Sequence, residues 1–299
     1  MIYKNVLEMI GNTPLLQINK IVPKSFKVYA KIEGLNPGGS IKDRVALKMI
    51  EEGEKSGELS KNKTIIEATS GNTGIALAMI GAIKGYNVLV VMSEAVSSER
   101  RKLIRAFGAE IILTEKDKGT DGAIVKVRQM IKENPDKYFY PDQFVNMNNK
   151  LAHYEETAKE IARSMEGKID YFVAPIGTSG TLMGVGQYLK EINPSIKIIS
   201  AEPVKGHYIQ GLKNMKEAIM PEIYDRNALD QIIKVDSEEA FAVARKLIKE
   251  EGISVGMSSG AAMLAVLKLI ETLDHPARIV TVFPDRGEKY LSTSLFNVG

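Results

Sequence analysis

The residues most able to do chemistry stand in four glycine-bearing loops, each running into a helical pattern. The first, "NPGGSIKDR" (36–44), puts Lys42 in the opening turn of a helix. An ammonium is unwelcome there, because a helix N-terminus already carries about half a positive charge. Ser40 with Asp43 three residues on spells a capping box, so a helix start is expected at this point. A lone lysine ordinarily reads as a solvated surface charge. At a helix N-terminus, and more so when buried, the neutral amine is easier to reach, and a neutral amine forms an imine with an aldehyde.

The second loop, "EATSGNTG" (67–74), closes a strand and opens a helix. Gly71 and Gly74 free the backbone, and Thr69, Ser70, Asn72 and Thr73 add side-chain donors. It reads either as an ordinary βα turn or as an anion site on helix amides. The third, "APIGTSGTLMG" (174–184), offers Gly177, Thr178, Ser179, Gly180 and Thr181 at another helix start, a set suited to a phosphate. Its spacing is neither G-x-G-x-x-G nor G-x-x-x-x-G-K-[ST], which disfavours a dinucleotide or a nucleoside triphosphate and leaves a monophosphate open. The fourth, "SVGMSSGAA" (254–262), carries Ser258 and Ser259 into a helix; alone it reads as a cap.

These loops need elements to hold them. Apolar β-branched runs alternate with helical periodicity: "TIIEA" (64–68), "NVLVVM" (87–92) and "EIILT" (110–114) each precede a helical stretch. The pattern resumes after residue 150 with "YFVAPI" (171–176), "KIISAEP" (197–203) and "ARIVTVFPD" (277–285). Such alternation predicts an α/β chain of two doubly wound lobes, their mostly parallel sheets covered on both faces, with a cleft between them. The dividing point is expected near Tyr140–Lys150. The stretch 204–232 lacks alternation and reads as a loop or lid around a site.

The totals exclude several classes. The 299 residues are 44% hydrophobic and 26% charged, with a formal net charge of +3 and no basic block, so nucleic-acid binding is not indicated. No stretch approaches the ~18 apolar residues of a membrane span, and the N-terminus lacks the pattern of a signal peptide. Without cysteine there is no disulfide, no thiolate metal site and no thiol nucleophile, which fits a cytoplasmic protein. His153, His207 and His275 show no metal-ligand spacing, so no metal is expected.

A lysine for an aldehyde, a Gly/Thr nest for one phosphate and a second nest for an amino-acid carboxylate form a coherent set for pyridoxal 5′-phosphate. With that set assembled, the sequence resembles the fold-type II, tryptophan-synthase-β-like pyridoxal-phosphate enzymes. Within them it is most similar to the cysteine synthases (O-acetylserine or O-phosphoserine sulfhydrylases), with cystathionine β-synthase as a near relative. The resemblance runs almost end to end, through "IGNTPL" (10–15), "NPGGSIKDR" (36–44), "TSGNTGIALA" (69–78), "SSERRKLIRAFGAEIILT" (97–114), "GTSGTLMG" (177–184), "EEGISVGMSSGAA" (250–262) and "KYLST" (289–293).

The resemblance implies roles position by position. Lys42 would hold the cofactor and abstract the substrate Cα proton; Asn72 would bond the cofactor's ring hydroxyl. Thr69, Ser70, Gly71, Asn72 and Thr73, with Gln143, would bind the substrate carboxylate. Gly177, Thr178, Ser179, Gly180 and Thr181 would cradle the phosphate, and Ser258, or Ser259 if the register slips by one, would face the pyridine nitrogen. The implied reaction is β-replacement through an α-aminoacrylate, giving L-cysteine from an activated serine and sulfide. Related reactions stay open: release of hydrogen sulfide from L-cysteine, with serine or lanthionine formed, or a cystathionine synthase. The resemblance also implies a smaller mobile lobe at 40–148, a larger lobe at 1–39 with 149–299, and a homodimer. Whether the chain joins serine acetyltransferase, as the acetylserine-specific group does, stays open.

The chain departs from the family pattern at Ala68, "MSEAVS" (92–97) and "NMNN" (146–149), and the last two are expected to border the cleft. Its loop "IQGLKNMKEAIMP" (209–221) is longer than that of the acetylserine group and resembles the sulfhydrylase-B branch. There Lys213 would pair with a phosphate leaving group, or be a solvated loop lysine, and Glu217 would orient water or a thiol.

Overall fold

The computed structural model describes residues 2–297. Two sheets carry the fold. The smaller is built from β3 (Thr64–Ala68), β4 (Val88–Ser93), β5 (Glu110–Thr114) and β6 (Tyr138–Phe139), in the order β5-β4-β3-β6 and parallel throughout. The larger contains β1 (Leu15–Ile18), β2 (Lys27–Ile32), β7 (Tyr171–Pro175), β8 (Lys197–Pro203), β9 (Gln231–Val235) and β10 (Arg278–Phe283), in the order β1-β2-β10-β7-β8-β9. Only β1 runs antiparallel to its neighbour. Every residue of β4 is buried, as unbroken apolar runs require in a parallel strand covered on both faces.

Helices fill the crossovers. α1 (Lys42–Ser56), α2 (Asn72–Lys84), α3 (Ser98–Ala106) and α4 (Gly119–Glu133) pack on the smaller sheet. α5 (Met147–Ala152), α6 (Ala158–Ser164), α7 (Gly180–Ile192), α8 (Ser237–Lys246) and α9 (Met257–Ile270) serve the larger. Hydrophobic clusters lie on both faces of each sheet, and Val6, Leu7 and Ile10 of the N-terminal segment pack against one cluster of the smaller sheet. None of the described helices is long and apolar enough to cross a membrane.

Two local expectations fail for physical reasons. α1 begins at Lys42, but the Ser40/Asp43 capping box does not form. Asp43 Oδ2 instead accepts the Gly38 N–H at 2.5 Å, and Ser40 Oγ accepts the Lys42 N–H at 3.3 Å. Ser40 is committed to a β-bridge with Asp285, and the Ile41 N–H donates to the Pro284 carbonyl at 2.9 Å. The helix that carries Lys42 is thus anchored to the end of β10, with Ser40 Oγ as the acceptor for its first amide and Asp43 turned back to Gly38. The periodicity of "LAHYEETAKEIARSM" (151–165) predicts one uninterrupted helix, and the structure interrupts it with a π-turn at His153–Thr157. α7 approaches it so closely that a Cβ on Gly184 would lie 2.3 Å from the Lys150 carbonyl.

A buried charge network fixes α1 further. Arg44 bonds Glu33 at 2.8 Å and Glu160 at 2.7 Å, and Lys31 also pairs with Glu160. Burial disfavours the guanidinium, but these carboxylates outweigh it and hold Arg44 above its ordinary range. Removing one partner from such a set costs about 3–5 kcal/mol, because the other charge is left buried and alone.

Candidate active site

The C-terminal ends of β3, β7 and β10 open onto one cleft of about 830 Å³, part of it in contact with solvent. This is where open α/β sheets bind ligands, since the loops there diverge and present helix N-termini. The cleft brings together Lys42, Thr69, Ser70, Asn72, Thr73, Gln143, Gly177, Thr178, Ser179, Thr181, Lys213 and Ser258.

Lys42 enters from the first turn of α1. Its Nζ makes one weak contact, to Thr178 Oγ1 at 3.4 Å. The tip of the side chain touches the cleft, but protein surrounds the amine on the scale that governs solvation. That burial lowers its pKa from 10.5 to about 8, with Glu67 opposing less strongly. Glu67 is itself fully buried and pushed well above the ordinary carboxyl range, chiefly by desolvation and then by Asp142, so it supplies little compensating charge. The result is an amine that is substantially neutral near pH 8 and close to a nest for anions.

The nest is the turn from β7 into α7. Ser179 holds a left-handed backbone at φ 70°, and its buried Oγ has no protein partner. Successive amides around such a residue at a helix N-terminus point at one spot. Gly177 and Gly180 are required by close approach rather than by exposure. A Cβ at Gly177 would lie 2.3 Å from the Gly211 carbonyl, and one at Gly180 would lie 2.0 Å from Asn149 Oδ1. Gly180 therefore sits behind the cradle, its amide presented by α7. Asn149 Nδ2 donates to Thr178 Oγ1 at 2.9 Å and to the Gln143 carbonyl at 2.7 Å, tying cradle to facing loop.

That facing loop lies at the start of α2. Gly71 (φ 127°) turns the chain, and its N–H donates to Thr69 Oγ1 at 3.0 Å. Gly71 itself does not line the cleft; a Cβ there would meet the Arg100 side chain at 2.4 Å. Thr73 Oγ1 donates to Gln143 Oε1 at 2.7 Å, and Gln143 Nε2 donates to the Ala68 carbonyl at 3.2 Å, so Gln143 is held in place. On the far wall, Ser258 opens onto the cleft from the start of α9, whereas Ser259 is fully buried away from it, its Oγ unpartnered.

The 204–225 segment, free of helix and strand, closes one side through Tyr208, Gln210, Gly211, Leu212 and Lys213. Lys213 is not free: Nζ bonds Asp121 Oδ1 at 2.7 Å and the Ile219 carbonyl at 3.3 Å, and lies 4.5 Å from the centre of the Phe144 ring. Glu217 does not line the cleft. It is exposed and accepts the Gly206 N–H at 3.0 Å. Of the two divergent segments, "NMNN" reaches the cleft's wall through Asn149, while "MSEAVS" ends in Ser97, which donates to the Lys289 carbonyl at 2.7 Å.

Several residues that matter here carry no local sequence signal. Arg100 of α3 is fully buried and bonds the Ser70 carbonyl (3.0 Å), Gln210 (2.7 Å) and Asp285 (3.1 Å), with Tyr290 as a further partner. It couples the α2 loop, the 204–225 segment and the end of β10. Among the described residues no cluster of three or more His, Asp or Glu side chains is placed to hold a metal.

Known proteins resemble the chain along nearly its whole length. The family described as "Pyridoxal-phosphate dependent enzyme" matches residues 6–285. A cysteine synthase of Aquifex aeolicus is 47% identical, over 98% of this chain and 92% of the relative. Cysteine synthase B of Pseudomonas aeruginosa is 41% identical, over 99% and 98%. Among solved structures, a hydrogen sulfide-producing enzyme from Fusobacterium nucleatum superposes with a TM-score of 0.92 at 44% identity, over 97% of this chain and all of that one.

Proposed function

Because the chain belongs to the pyridoxal-phosphate dependent enzymes, we propose that it makes L-cysteine from an activated serine and sulfide, with pyridoxal 5′-phosphate held in the cleft. The observation that carries this reading is the convergence, in one cleft, of a poorly solvated lysine amine with an anion nest whose buried Ser179 hydroxyl lacks a protein partner. The residues fit the cofactor: an aldehyde needs the amine, and a phosphate needs the donors of Gly177, Thr178, Ser179, Gly180 and Thr181. Asn72 faces the ring hydroxyl in this reading and Ser258 the ring nitrogen.

Bound there, pyridoxal phosphate supplies an electron-withdrawing ring that acidifies the Cα–H of an attached amino acid and eases departure of its β-substituent. The protein's part is to place groups around that chemistry. Lys42 Nζ would hold the cofactor through its aldehyde and, as a free amine, would accept the substrate Cα proton and return it. Its lowered pKa suits this work, since a permanently charged amine can accept nothing. The α2 amides with Thr69, Ser70, Asn72 and Thr73 bind the substrate carboxylate, and Gln143, locked by Thr73, braces that loop. Overall, hydrosulfide would take the place of the β-substituent, which would leave as its anion, so the atoms and charge balance.

The β-substituent we favour is an uncharged acyl ester, which departs as a carboxylate such as acetate. Lys213, the cation on the leaving-group side, is already paired with Asp121, so a phosphate would have to displace a carboxylate held at 2.7 Å. A second reading, in which L-cysteine is consumed and hydrogen sulfide released, is favoured by the 44% identical hydrogen sulfide-producing enzyme. Parallel assays with O-acetyl-L-serine, O-phospho-L-serine, L-serine and L-cysteine separate them. Cysteine formation fastest from O-acetyl-L-serine is the expected result; faster sulfide release from L-cysteine would replace the first reading with the second.

We also assign residues 40–148 to a smaller lobe that moves on carboxylate binding, against a larger lobe of 1–39 and 149–299. A homodimer in the cytoplasm completes the reading, and light scattering of the purified holoenzyme checks the oligomer.

A further inference from the structure

The Asn72 carboxamide can turn either its carbonyl or its N–H toward the cleft, and what stands behind it decides which. Lys289 Nζ lies 3.1 Å from Asn72 Oδ1, and Asp285 Oδ2 lies 2.7 Å from Asn72 Nδ2. An ammonium offers only donors and a carboxylate only acceptors. A flipped carboxamide would set donor against donor on one side and acceptor against acceptor on the other. With Oδ1 taken by Lys289 and one N–H taken by Asp285, what remains for the cleft is the second N–H of Nδ2.

Both partners are themselves pinned. Lys289 Nζ also donates to the Gly38 carbonyl at 2.9 Å, and the side chain is 5% exposed. It packs so tightly beneath Gly39 that a Cβ there would come within 3.1 Å of its Cε. Asp285 Oδ2 accepts from Tyr290 Oη at 2.7 Å and from Arg100 Nη2 at 3.1 Å besides Asn72. Burial, aided by Arg100, lowers the Lys289 pKa to about 8 against the pull of Asp285, Asp43 and Glu288, so the ammonium is the main form at neutral pH. Nothing in the reaction described above uses this buried lysine.

We propose that Lys289 is a positioning residue for the cofactor: by locking Asn72 against Asp285, it makes the cleft present a single N–H donor that selects an oxygen anion, the ionised ring hydroxyl of pyridoxal phosphate. The inference rests on the reading that pyridoxal phosphate occupies this cleft. Lys289 does not line the cleft itself and reaches the ring hydroxyl through Asn72.

Lys289→Met removes the donor and keeps a stem of similar length, which frees the carboxamide to turn. The apoprotein's affinity for pyridoxal phosphate, by equilibrium dialysis, is expected to weaken by about tenfold or more, the usual effect of losing one oriented hydrogen bond to a charged acceptor. The long-wavelength absorption that marks an ionised ring hydroxyl is expected to fall, with a shorter-wavelength band taking its place. Lys289→Arg, which restores a cationic donor, is expected to recover the long-wavelength band. Wild-type affinity and spectrum in Lys289→Met would overturn the proposal. So would a lowered urea midpoint with the loaded protein's spectrum unchanged, the signature of a merely structural lysine. A neutron structure of the wild-type apoprotein reads the same lock without any variant. Deuterons on the Asn72 atom facing Asp285 support it, and deuterons facing Lys289 refute it. If the wild-type protein bound no pyridoxal phosphate, the cofactor reading would fall, while the neutron map would still report on Asn72.

Discussion

Replacing Lys42 by methionine should make the apoprotein more stable, because the fold holds an ammonium where water reaches it poorly. The lysine's pKa is about 8 in the folded chain against an ordinary 10.5. Below pH 8 both folded and unfolded chains carry the proton, and the folded one bears the full penalty of desolvation. Between pH 8 and 10.5 the unfolded chain still binds a proton that the folded chain has lost, so stability rises with pH across this window. Above 10.5 neither is charged and the penalty is gone. At ~1.4 kcal/mol per pH unit, the penalty at pH 7 is about 3 kcal/mol, and it falls to about 1.5 kcal/mol by pH 9.5. Contact with cleft water makes the first figure an upper value. The Thr178 contact, at 3.4 Å, offers little in return. Urea unfolding of the two apoproteins should then show Lys42→Met with a midpoint higher by about 1 M at pH 7, given slopes near 3 kcal/mol/M for a chain of this size. The gap should shrink by about half at pH 9.5. A methionine variant no more stable at pH 7, or a gap that does not change with pH, would refute the burial of the ammonium as the source of the lysine's reactivity.

Three further outcomes follow from contacts in the same cleft. Asp121→Asn, which loosens the partner of Lys213, should raise kcat/KM for O-phospho-L-serine about tenfold relative to O-acetyl-L-serine, the scale of one charge-assisted bond; an unchanged ratio would remove Lys213 from the specificity argument. Gly180→Ala should lower the unfolding free energy by about 1–3 kcal/mol and weaken cofactor binding, since the new methyl group meets the buried Asn149 side chain; urea midpoints and dialysis check both. Ser258→Ala should change the absorption of the bound cofactor, while Ser259→Ala should leave it unchanged and alter apoprotein stability by less than about 1 kcal/mol, because its buried hydroxyl has no partner to lose.

The parts of the site that could be read from sequence share one physical property: their meaning is local. Thr69–Thr73 and Gly177–Thr181 each combine glycines, hydroxyls and a helix start within five residues, directly after an apolar strand, and parallel sheets put such loops on one edge whatever the rest of the chain does. Lys42 was legible as an anomaly, a cation in a helix's first turn. The capping box drawn around it failed because the Ser40 backbone is bridged to Asp285, far away in the chain, and the Asp43 carboxylate takes the Gly38 N–H instead of completing the box. Lys213 shows the same limit, since a charge-rich loop suggested a free cation and its partner Asp121 stands 92 residues away.

The bonds that decide how Asn72 is held span 213 and 217 residues, and the bond from Arg100 to Asp285 spans 185. Single charged residues at such separations leave no periodicity to detect, and each alone reads as a solvated surface group. What turns them into partners is burial. In an interior where an unpaired charge costs several kcal/mol, Arg100, Asp285 and Lys289 must find one another, and the site residue between them, Asn72, loses its freedom to turn. A substitution in the "KYLST" segment, remote in sequence from the loop that cradles the phosphate, should therefore disturb the cofactor's ring side while sparing its phosphate side. Phosphorus NMR of holoenzyme carrying Lys289→Met, its phosphate resonance unmoved as the visible absorption shifts, would separate the two ends of the cleft; movement of both together would mean the lysine supports the cleft as a whole.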